Sequence, residues 1–541
     1  MSPRTRAAVA TARRWALPIA LAICLRALSL TPSLPYIGYM DEGHVLHPTM
    51  QLIRSGGWDP GWYGYPPLTF YLVSFAAKGV DFFQRAVTTG GSLVEDLPAP
   101  DDVVPPAGRV YDILGPIDLI VTGRLVMLFL GLGTVVVSGL LGETVSGART
   151  GWMAALIVAC CPSFVIRGSY VMVDTATTFF ATLALYFVAR SLRRDRDGGD
   201  EPARASHALA FGAGLAAALA TASKYSVAVL VPVALAAVLV AAPTVSRAIR
   251  LAAAFGAGLL TGFALGAPTF ALRFHEIVDS LREQTALYAF WPATPSLLRT
   301  AVEPYELGVP LLLCGAVGLW QMLRRREQRA IVWTWLVFAT LLVLPFLRYG
   351  FQPFRNLLPV CPLLAVAAAH FLVGWFERRE GTRRVVAPAV GVLAGVAVAV
   401  SFGTGLLRFR DSLVPRDSRV EAIDWLVPRV RPDDQVLVLR ELAILPSEMR
   451  RLPARTRTVT CQELTKAAEA APLAYLVVGA SGTSAHPGDG ASLRCDAHLP
   501  AASEIASFGS VPTPPFSDYW RTNREALRIL KRHETPPPNS P

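Results

Sequence analysis

Charge is scarce in this sequence. Of its 541 residues 17% are Asp, Glu, Lys or Arg, against roughly 25% in soluble domains. Lysine is nearly missing: Lys78, Lys224, Lys466 and Lys531 are the four present, so 47 of the 51 cations are arginine. There is no Gly-rich loop of the P-loop kind to cradle phosphates and no solenoid repeat. Cysteine is too sparse for a disulfide scaffold, and Cys24, Cys160, Cys161, Cys314 and Cys361 all fall in apolar runs, where core packing accounts for them. What the chain does have is apolar length, 52% of its residues, in long runs parted by short Arg-rich breaks. Cytosolic globular, disulfide-stapled and disordered classes are thereby excluded, and the chain reads as an integral membrane protein. Its net charge of +11 does not point to nucleic acid. The cations sit between apolar runs, where they set topology and meet anionic lipid.

A spanning helix needs about 20 mostly apolar residues. Eleven stretches qualify: 15–35, 119–142, 151–169, 174–192, 207–223, 226–243, 251–271, 305–323, 330–347, 356–376 and 385–407. A twelfth, 66–87, is interrupted by Lys78, Asp81, Gln84 and Arg85. Basic clusters at Arg4 to Arg14, Arg190 to Arg196, Arg247 with Arg250, Arg324 to Arg329 and Arg378 to Arg384 arbitrate. All five face the cytoplasm only if 66–87 does not cross, so that stretch is expected to be an amphipathic or re-entrant helix at the outer surface.

The expected fold is a polytopic α-helical membrane protein: a multi-spanning domain over 1–407 with a first extracytoplasmic loop at 36–118, an extracytoplasmic α/β domain over 408–532, and a disordered Pro-rich tail at 533–541. In the α/β domain Ser418 and Glu421 form the pattern of a capping box. Val436–Leu439 and Leu473–Val478 read as buried strands, and Thr460 with Glu463 as a second capping box. Cys461 and Cys495 could pair if this part is extracytoplasmic.

On that topology the unusual polar residues gather at the outer interface: Asp41, Glu42, His44 and His47 after the first span, Asp174, Lys224, Arg273 with His275 and Glu276, Glu303 and Glu306, and Arg348 to Asn356. Ionisable groups at a bilayer are costly and mark sites. Two carboxylate positions and several cations on one face suit an anionic lipid head and a proton-accepting base. Plain readings stand beside these. Asp174 could be a helix cap, Lys224 an interfacial anchor, and Trp58, Trp62 and Tyr65 an aromatic belt rather than a sugar-stacking surface. His44 and His47 with Asp41 have metal-ligand spacing, yet a His pair is as readily structural. Arg26, inside the first span, has to face the bundle or reach outward.

The acidic pair after the first span, the element Tyr65-Pro66-Pro67-Leu68, the run Arg167-Gly168-Ser169-Tyr170-Val171-Met172-Val173-Asp174, Ser223-Lys224-Tyr225-Ser226, and Phe354-Arg355-Asn356-Leu357-Leu358-Pro359 occur in that order. This pattern resembles the dolichyl-phosphate-mannose-protein mannosyltransferase superfamily, integral-membrane glycosyltransferases of the C type fold related to the bacterial aminoarabinose transferase of lipid A. The segment Asp417-Ser418-Arg419-Val420-Glu421-Ala422-Ile423-Asp424-Trp425 resembles the opening of the outer domain in bacterial members. The resemblance implies a polyprenyl-phosphate sugar donor, an acceptor that is a protein, lipid or polysaccharide, and a site outside the plasma membrane of a bacterium. It implies inverting transfer with Asp41 as general base assisted by Glu42, Asp174 and His44 positioning acceptor or a divalent metal ion, and Lys224, Arg355 and Arg273 meeting the donor phosphate. Tyr65 stands where relatives often carry His or Lys, which leaves the charge to the other cations. A transporter or lipid flippase is the alternative, disfavoured because the acidic residues collect at one face and no repeat is visible.

Overall fold

The computed structural model describes residues 3–28, 30–31, 34–37, 40–87, 117–194, 203–290, 296–376, 386–413, 417–439, 442, 444, 446–460, 463, 475–479, 502–508 and 527–532. Cys461, Cys495 and the expected tail 533–541 lie outside the described residues. The chain forms two compact units. The first comprises Met1–Thr31, Val45–Leu97 and Asp118–Ser412, the second Pro32–His44, Pro98–Ile117 and Leu413–Pro541.

The helices run in the order α1 (Pro3–Ala27), α2 (Met40–Ser55), α3 (Leu68–Val87), α4 (Ile117–Ser146), α5 (Ala148–Cys160), α6 (Pro162–Arg167), α7 (Val173–Arg194), α8 (Ala203–Thr221), α9 (Leu230–Val240), α10 (Val245–Gly266), α11 (Phe274–Phe290), α12 (Leu297–Ala301), α13 (Gly308–Arg324), α14 (Arg329–Val343), α15 (Cys361–Phe376) and α16 (Val386–Leu413). Among the described residues six helices are long and apolar enough to cross a membrane: Leu119–Ser146, Val173–Arg193, Val245–Gly266, Arg329–Arg348, Phe354–Trp375 and Ala389–Arg410. Shorter apolar helices occupy Trp15–Ala27, Ala148–Cys160, Ala205–Thr221, Tyr225–Val240 and Gly308–Arg324, where the other five spans are expected.

The shorter helices have local causes. The stretch expected as one span over 151–169 breaks at Cys161, whose φ of −64° and ψ of 122° are extended. Pro162 follows, and the residue before a proline is driven out of the α region by the ring. A 3₁₀ turn at Tyr225–Val229 precedes α9, and another at Phe354–Val360 precedes α15. At the first residue of α13 the chain turns through Gly308 at φ 76°, a left-handed value that a side chain would resist. These irregular segments carry most of the polar residues discussed below. Arg26 faces the bundle: it is 1% exposed, and its guanidinium donates to the carbonyls of Ala22, Ala159 and Val158 at 3.2, 3.2 and 3.4 Å.

Helices α8 and α10 meet along small residues. A Cβ on Gly258 would lie 2.1 Å from the Phe211 carbonyl oxygen, one on Gly262 2.6 Å from the Ala218 Cβ, and one on Gly266 2.8 Å from the Ala222 Cβ. Positions advance together on both helices, so the two run parallel, with Gly214 of α8 equally tight against the Phe255 carbonyl at 2.1 Å. In an apolar solvent this close backbone approach is what holds helices together. The seam leads directly into Lys224 at the end of α8.

In the second unit α17 (Ser418–Leu426) and α18 (Pro446–Met449) accompany strands β1 (Gln435–Leu439), β2 (Arg455–Val459), β3 (Tyr475–Gly479), β4 (Ala502–Phe508) and β5 (Leu527–Arg532) in the order β2-β1-β3-β5-β4. The first three are mutually parallel; β5 and β4 are antiparallel. Ala422, Ile423 and Leu426 of α17 share a core with Val436, Val438, Val477 and Ile529. The helix cap differs from the expected capping box. Asp417, not Ser418, is the N-cap, its Oδ1 accepting from the Arg419 amide at 2.9 Å. A carboxylate one residue earlier brings a full negative charge to the helix N-terminus, which the Ser hydroxyl cannot match. The second box is present: the Thr460 amide donates to Glu463 Oε2 at 3.0 Å, and the Glu463 amide to Thr460 Oγ1 at 3.3 Å.

Gly258→Leu is expected to lower stability in detergent by about 1–3 kcal/mol through overpacking. Gly256→Leu, where an added Cβ meets nothing within 4 Å, is expected to melt with the wild type. Equal melting of both variants would remove the seam from this account.

Candidate active site

Lys224 sits in the extended residue between α8 and the 3₁₀ turn, with φ −155° and ψ 124°. Its Nζ donates to Asp174 Oδ1 at 2.6 Å and to Asn356 Oδ1 at 2.7 Å. Asp174 stands in the first turn of α7, and Asn356 in the turn before α15. The lysine side chain is 10% exposed and the aspartate 1%. An ammonium carries three donors, two of which are used here. Asp174 Oδ2 is buried and has no hydrogen-bond partner among the described residues. The cluster thus offers one N–H and one carboxylate oxygen to something else. The Asn356 amide in turn donates to the Tyr288 hydroxyl at 3.1 Å. Tyr288 packs against Phe346, Tyr349 and Phe351 at centroid separations of 5.8, 5.8 and 5.4 Å.

The first loop is moored beside this cluster. The Leu68 amide donates to the Ala222 carbonyl at 3.0 Å, and the Tyr225 hydroxyl donates to the Tyr63 carbonyl at 3.2 Å. Tyr65 and the two prolines therefore lie between anchors that flank Lys224 in sequence. Trp62 packs on Tyr65 and Phe70 at 5.7 and 6.1 Å, and Trp58 on Tyr71 and Phe75 at 5.7 Å each. Trp58 is 55% exposed; Trp62 and Tyr65 are half-buried.

Arg273 has other partners. It bridges Asp59 at 2.8 Å and Glu276 at 3.0 Å while remaining 48% exposed. Its guanidinium pKa is raised, chiefly by the Glu276 bond and then by Asp59. Burial pushes the Asp59 carboxyl up, but the Gly61 amide, the Tyr63 hydroxyl and Arg273 together leave it below its ordinary value. Tyr63, partly desolvated and donating to Asp59, is pushed up to about 12. The Asp59–Arg273 pair clasps the first loop to the segment after α10. Arg355 is half-buried next to Asn356.

A second buried ion pair braces the elements that deliver these residues. Arg167 meets Glu306 through two bonds of 2.6 and 2.5 Å, and Ser163 Oγ donates to the same carboxylate at 2.7 Å. Phe354 lies 5.5 Å beneath the guanidinium, and the Arg167 carbonyl accepts from Thr175 Oγ1 at 3.0 Å. The brace therefore touches both the neighbour of Asp174 and the turn that holds Asn356.

The acidic pair opens α2. Asp41 and Glu42 are 3% and 0% exposed and, with His44, belong to the second unit. Among the described residues no three His, Cys, Asp or Glu side chains come together in a group that could hold a metal ion. Asn356, Tyr288 and the Arg167–Glu306 brace carry no assigned role in the sequence reading. An amide or a phenol has no scarcity to flag it, whereas a lone lysine among arginines does.

Residues 118–253 match the family described as dolichyl-phosphate-mannose-protein mannosyltransferase. ArnT from Cupriavidus metallidurans, solved bound to undecaprenyl phosphate, superposes with a TM-score of 0.57 at 14% identity, covering 96% of this chain and 98% of that one. The archaeal oligosaccharyltransferase AglB from Archaeoglobus fulgidus, solved with an inhibitory peptide and a dolichol-phosphate, gives a TM-score of 0.51 at 13% identity, with coverages of 86% and 69%. No curated protein matches the chain at the level of sequence. The chain shares the fold of ArnT and AglB, and its residues 118–253 resemble the mannosyltransferase family. The matched family segment contains Asp174 and Lys224; Asp41 and Asn356 lie outside it. Two residues of the polar cluster thus come from the segment that matches the family sequence pattern.

Lys224→Met is expected to destabilise the protein by about 3–5 kcal/mol, because it strands a buried carboxylate. Adding Asp174→Asn should recover part of that loss in thermal unfolding. A double variant no more stable than Lys224→Met would dissolve the pair as an energetic unit.

Proposed function

We propose that this chain transfers a sugar from a polyprenyl-phosphate carrier to an acceptor hydroxyl at the extracytoplasmic face of a bacterial plasma membrane, with inversion at the anomeric carbon. The observation that carries the reading is the buried Asp174–Lys224–Asn356 cluster, with one ammonium proton and one carboxylate oxygen unused. The open N–H suits a phosphate oxygen, and the open carboxylate oxygen suits a sugar or acceptor hydroxyl. The fold supports the lipid carrier, since the ArnT neighbour was solved with undecaprenyl phosphate.

In the reaction the bond from the anomeric carbon to the donor phosphate oxygen breaks as a bond to the acceptor oxygen forms. Asp41 takes the acceptor proton, and the electron pair of the broken bond leaves on the lipid phosphate. Lys224 and Arg355 stabilise that developing charge in a low-dielectric setting, where fixed cations count most. Arg273 joins them by exchanging one of its exposed carboxylate partners for phosphate. Glu42, His44 and Asp174 position the acceptor. Trp58, Trp62 and Tyr65 line the sugar's approach, and α3 lies in the interface over the donor tail. Eleven crossings, with the Arg-rich ends in the cytoplasm, complete the reading. No step is assigned to a metal.

Purified protein in detergent, given polyprenyl-phosphate donors that each carry one sugar and a membrane extract as acceptor, is expected to release polyprenyl phosphate as sugar is transferred. Asp41→Asn should express and melt normally yet lose about 10²–10⁴-fold in turnover. Full turnover by that variant removes Asp41 as the base, and no transfer from any donor removes the reaction. For topology, an impermeant maleimide applied to intact cells should label Ser55→Cys and Arg282→Cys but not Arg325→Cys. Labelling of all three, or of Arg325→Cys alone, contradicts the proposed sidedness.

A further inference from the structure

We propose that Arg419, at the start of the α/β sheet unit, is a positioning residue for the Asp41–Glu42 pair, acting through Tyr36; the inference rests on Asp41 being the base. The guanidinium carbon of Arg419 lies 3.6 Å from the centre of the Tyr36 ring. Tyr36 is fully buried, Ile37 is 1% exposed and Arg419 8%. Asp417 sets the plane of the guanidinium: Arg419 Nε donates to Oδ1 and Nη2 to Oδ2, each at 2.9 Å. Arg419 Nη1 reaches the Leu442 carbonyl at 3.5 Å. One carboxylate therefore caps α17 and orients the cation that covers Tyr36.

The consequence for the acidic pair follows from chain length. Asp41 is five residues beyond Tyr36, and five residues span at most about 17 Å when extended. Pinning Tyr36 confines where α2 can begin, and so where Asp41 and Glu42 are presented. These residues belong to the same compact unit as the sheet, although nearly the whole membrane-helix part separates them in sequence. The sheet core of α17 and strands β1, β3 and β5 is complete without this contact. What Arg419 adds is a hold on the segment leading to the acids.

The test uses the full chain in detergent and two readouts. In hydrogen exchange, Arg419→Met should speed exchange of the peptide covering 34–44 by about 30-fold, the worth of a desolvated cation–π contact. Amides of β1 should stay protected. In the transfer assay above, kcat should fall while the donor KM stays within about twofold, since the base and not the donor site is displaced. Tyr36→Leu, which keeps the Asp417–Arg419 pair, should reproduce both effects, and Tyr36→Phe should restore wild-type behaviour. If Arg419→Met also opens β1, Tyr36→Leu decides: selective opening of 34–44 supports the proposal, and unchanged exchange overturns it. Opening with unaltered kcat overturns the positioning role while leaving the transferase reading intact. Absence of transfer by the wild type instead overturns the proposed function and this role with it, exchange then reporting the clasp alone.

Discussion

A primary ammonium set among apolar helices has to be neutralised where it stands. Lys224 meets that demand with a carboxylate 2.6 Å away and an amide oxygen at 2.7 Å. Removing both charges from water costs about as much as their attraction returns, so such a pair is a poor source of stability. Under the proposed function its presence is explained by what it offers a ligand. The tight α8–α10 seam, the 3₁₀ turn after Lys224 and the turn before α15 all bring their residues to this point. The two turns depart from regular α-helix where a polar group is turned inward.

Two buried ion pairs of the membrane unit, Arg167–Glu306 and Asp174–Lys224, differ in what they leave open. In the Arg167–Glu306 pair both carboxylate oxygens are taken, one by the guanidinium and the other by guanidinium and Ser163 together. The Glu306 carboxylate is filled, and the pair reads as a brace between α6 and the turn before α13. In the Asp174–Lys224 pair one oxygen and one proton are unspent. A buried polar atom without a partner is disfavoured unless something fills it, and the residues around this one lie in the family-matched segment or beside Tyr288. Arg26, bonded to three backbone carbonyls, belongs with the brace.

Much of the architecture was legible in the residues. Apolar runs locate the apolar helices, the interrupted stretch 66–87 does form a helix outside the long apolar set, and the Val-rich runs near 436 and 475 are strands of one sheet. Lys224 and Asp174 stood out because lysine is rare and acids near apolar runs are costly. Asn356 was noted among the polar residues but without a role, and Tyr288 was not noted, since an amide and a phenol are commonplace until their partners are known. Arg273 looked like a phosphate ligand by position, and the folded chain gives it Asp59 and Glu276 as companions. The helix cap at Asp417 was misplaced by one residue because Ser418-x-x-Glu421 satisfies the capping pattern as well as the true start does.

Hydrophobic periodicity, charge clustering and turn chemistry act over a few residues, so the sequence by itself determined which segments are apolar helices, which are strands and where the chain is forced to break. Which charges meet is a different matter. Lys224 with Asp174 and Asn356, Arg167 with Glu306, and Arg419 with Tyr36 are pairings across long stretches of chain, set by how helices cross and how backbones approach at glycines. No local pattern encodes a crossing. The tertiary structure decided it, because only close packing at a distant seam brings two such side chains within hydrogen-bond reach.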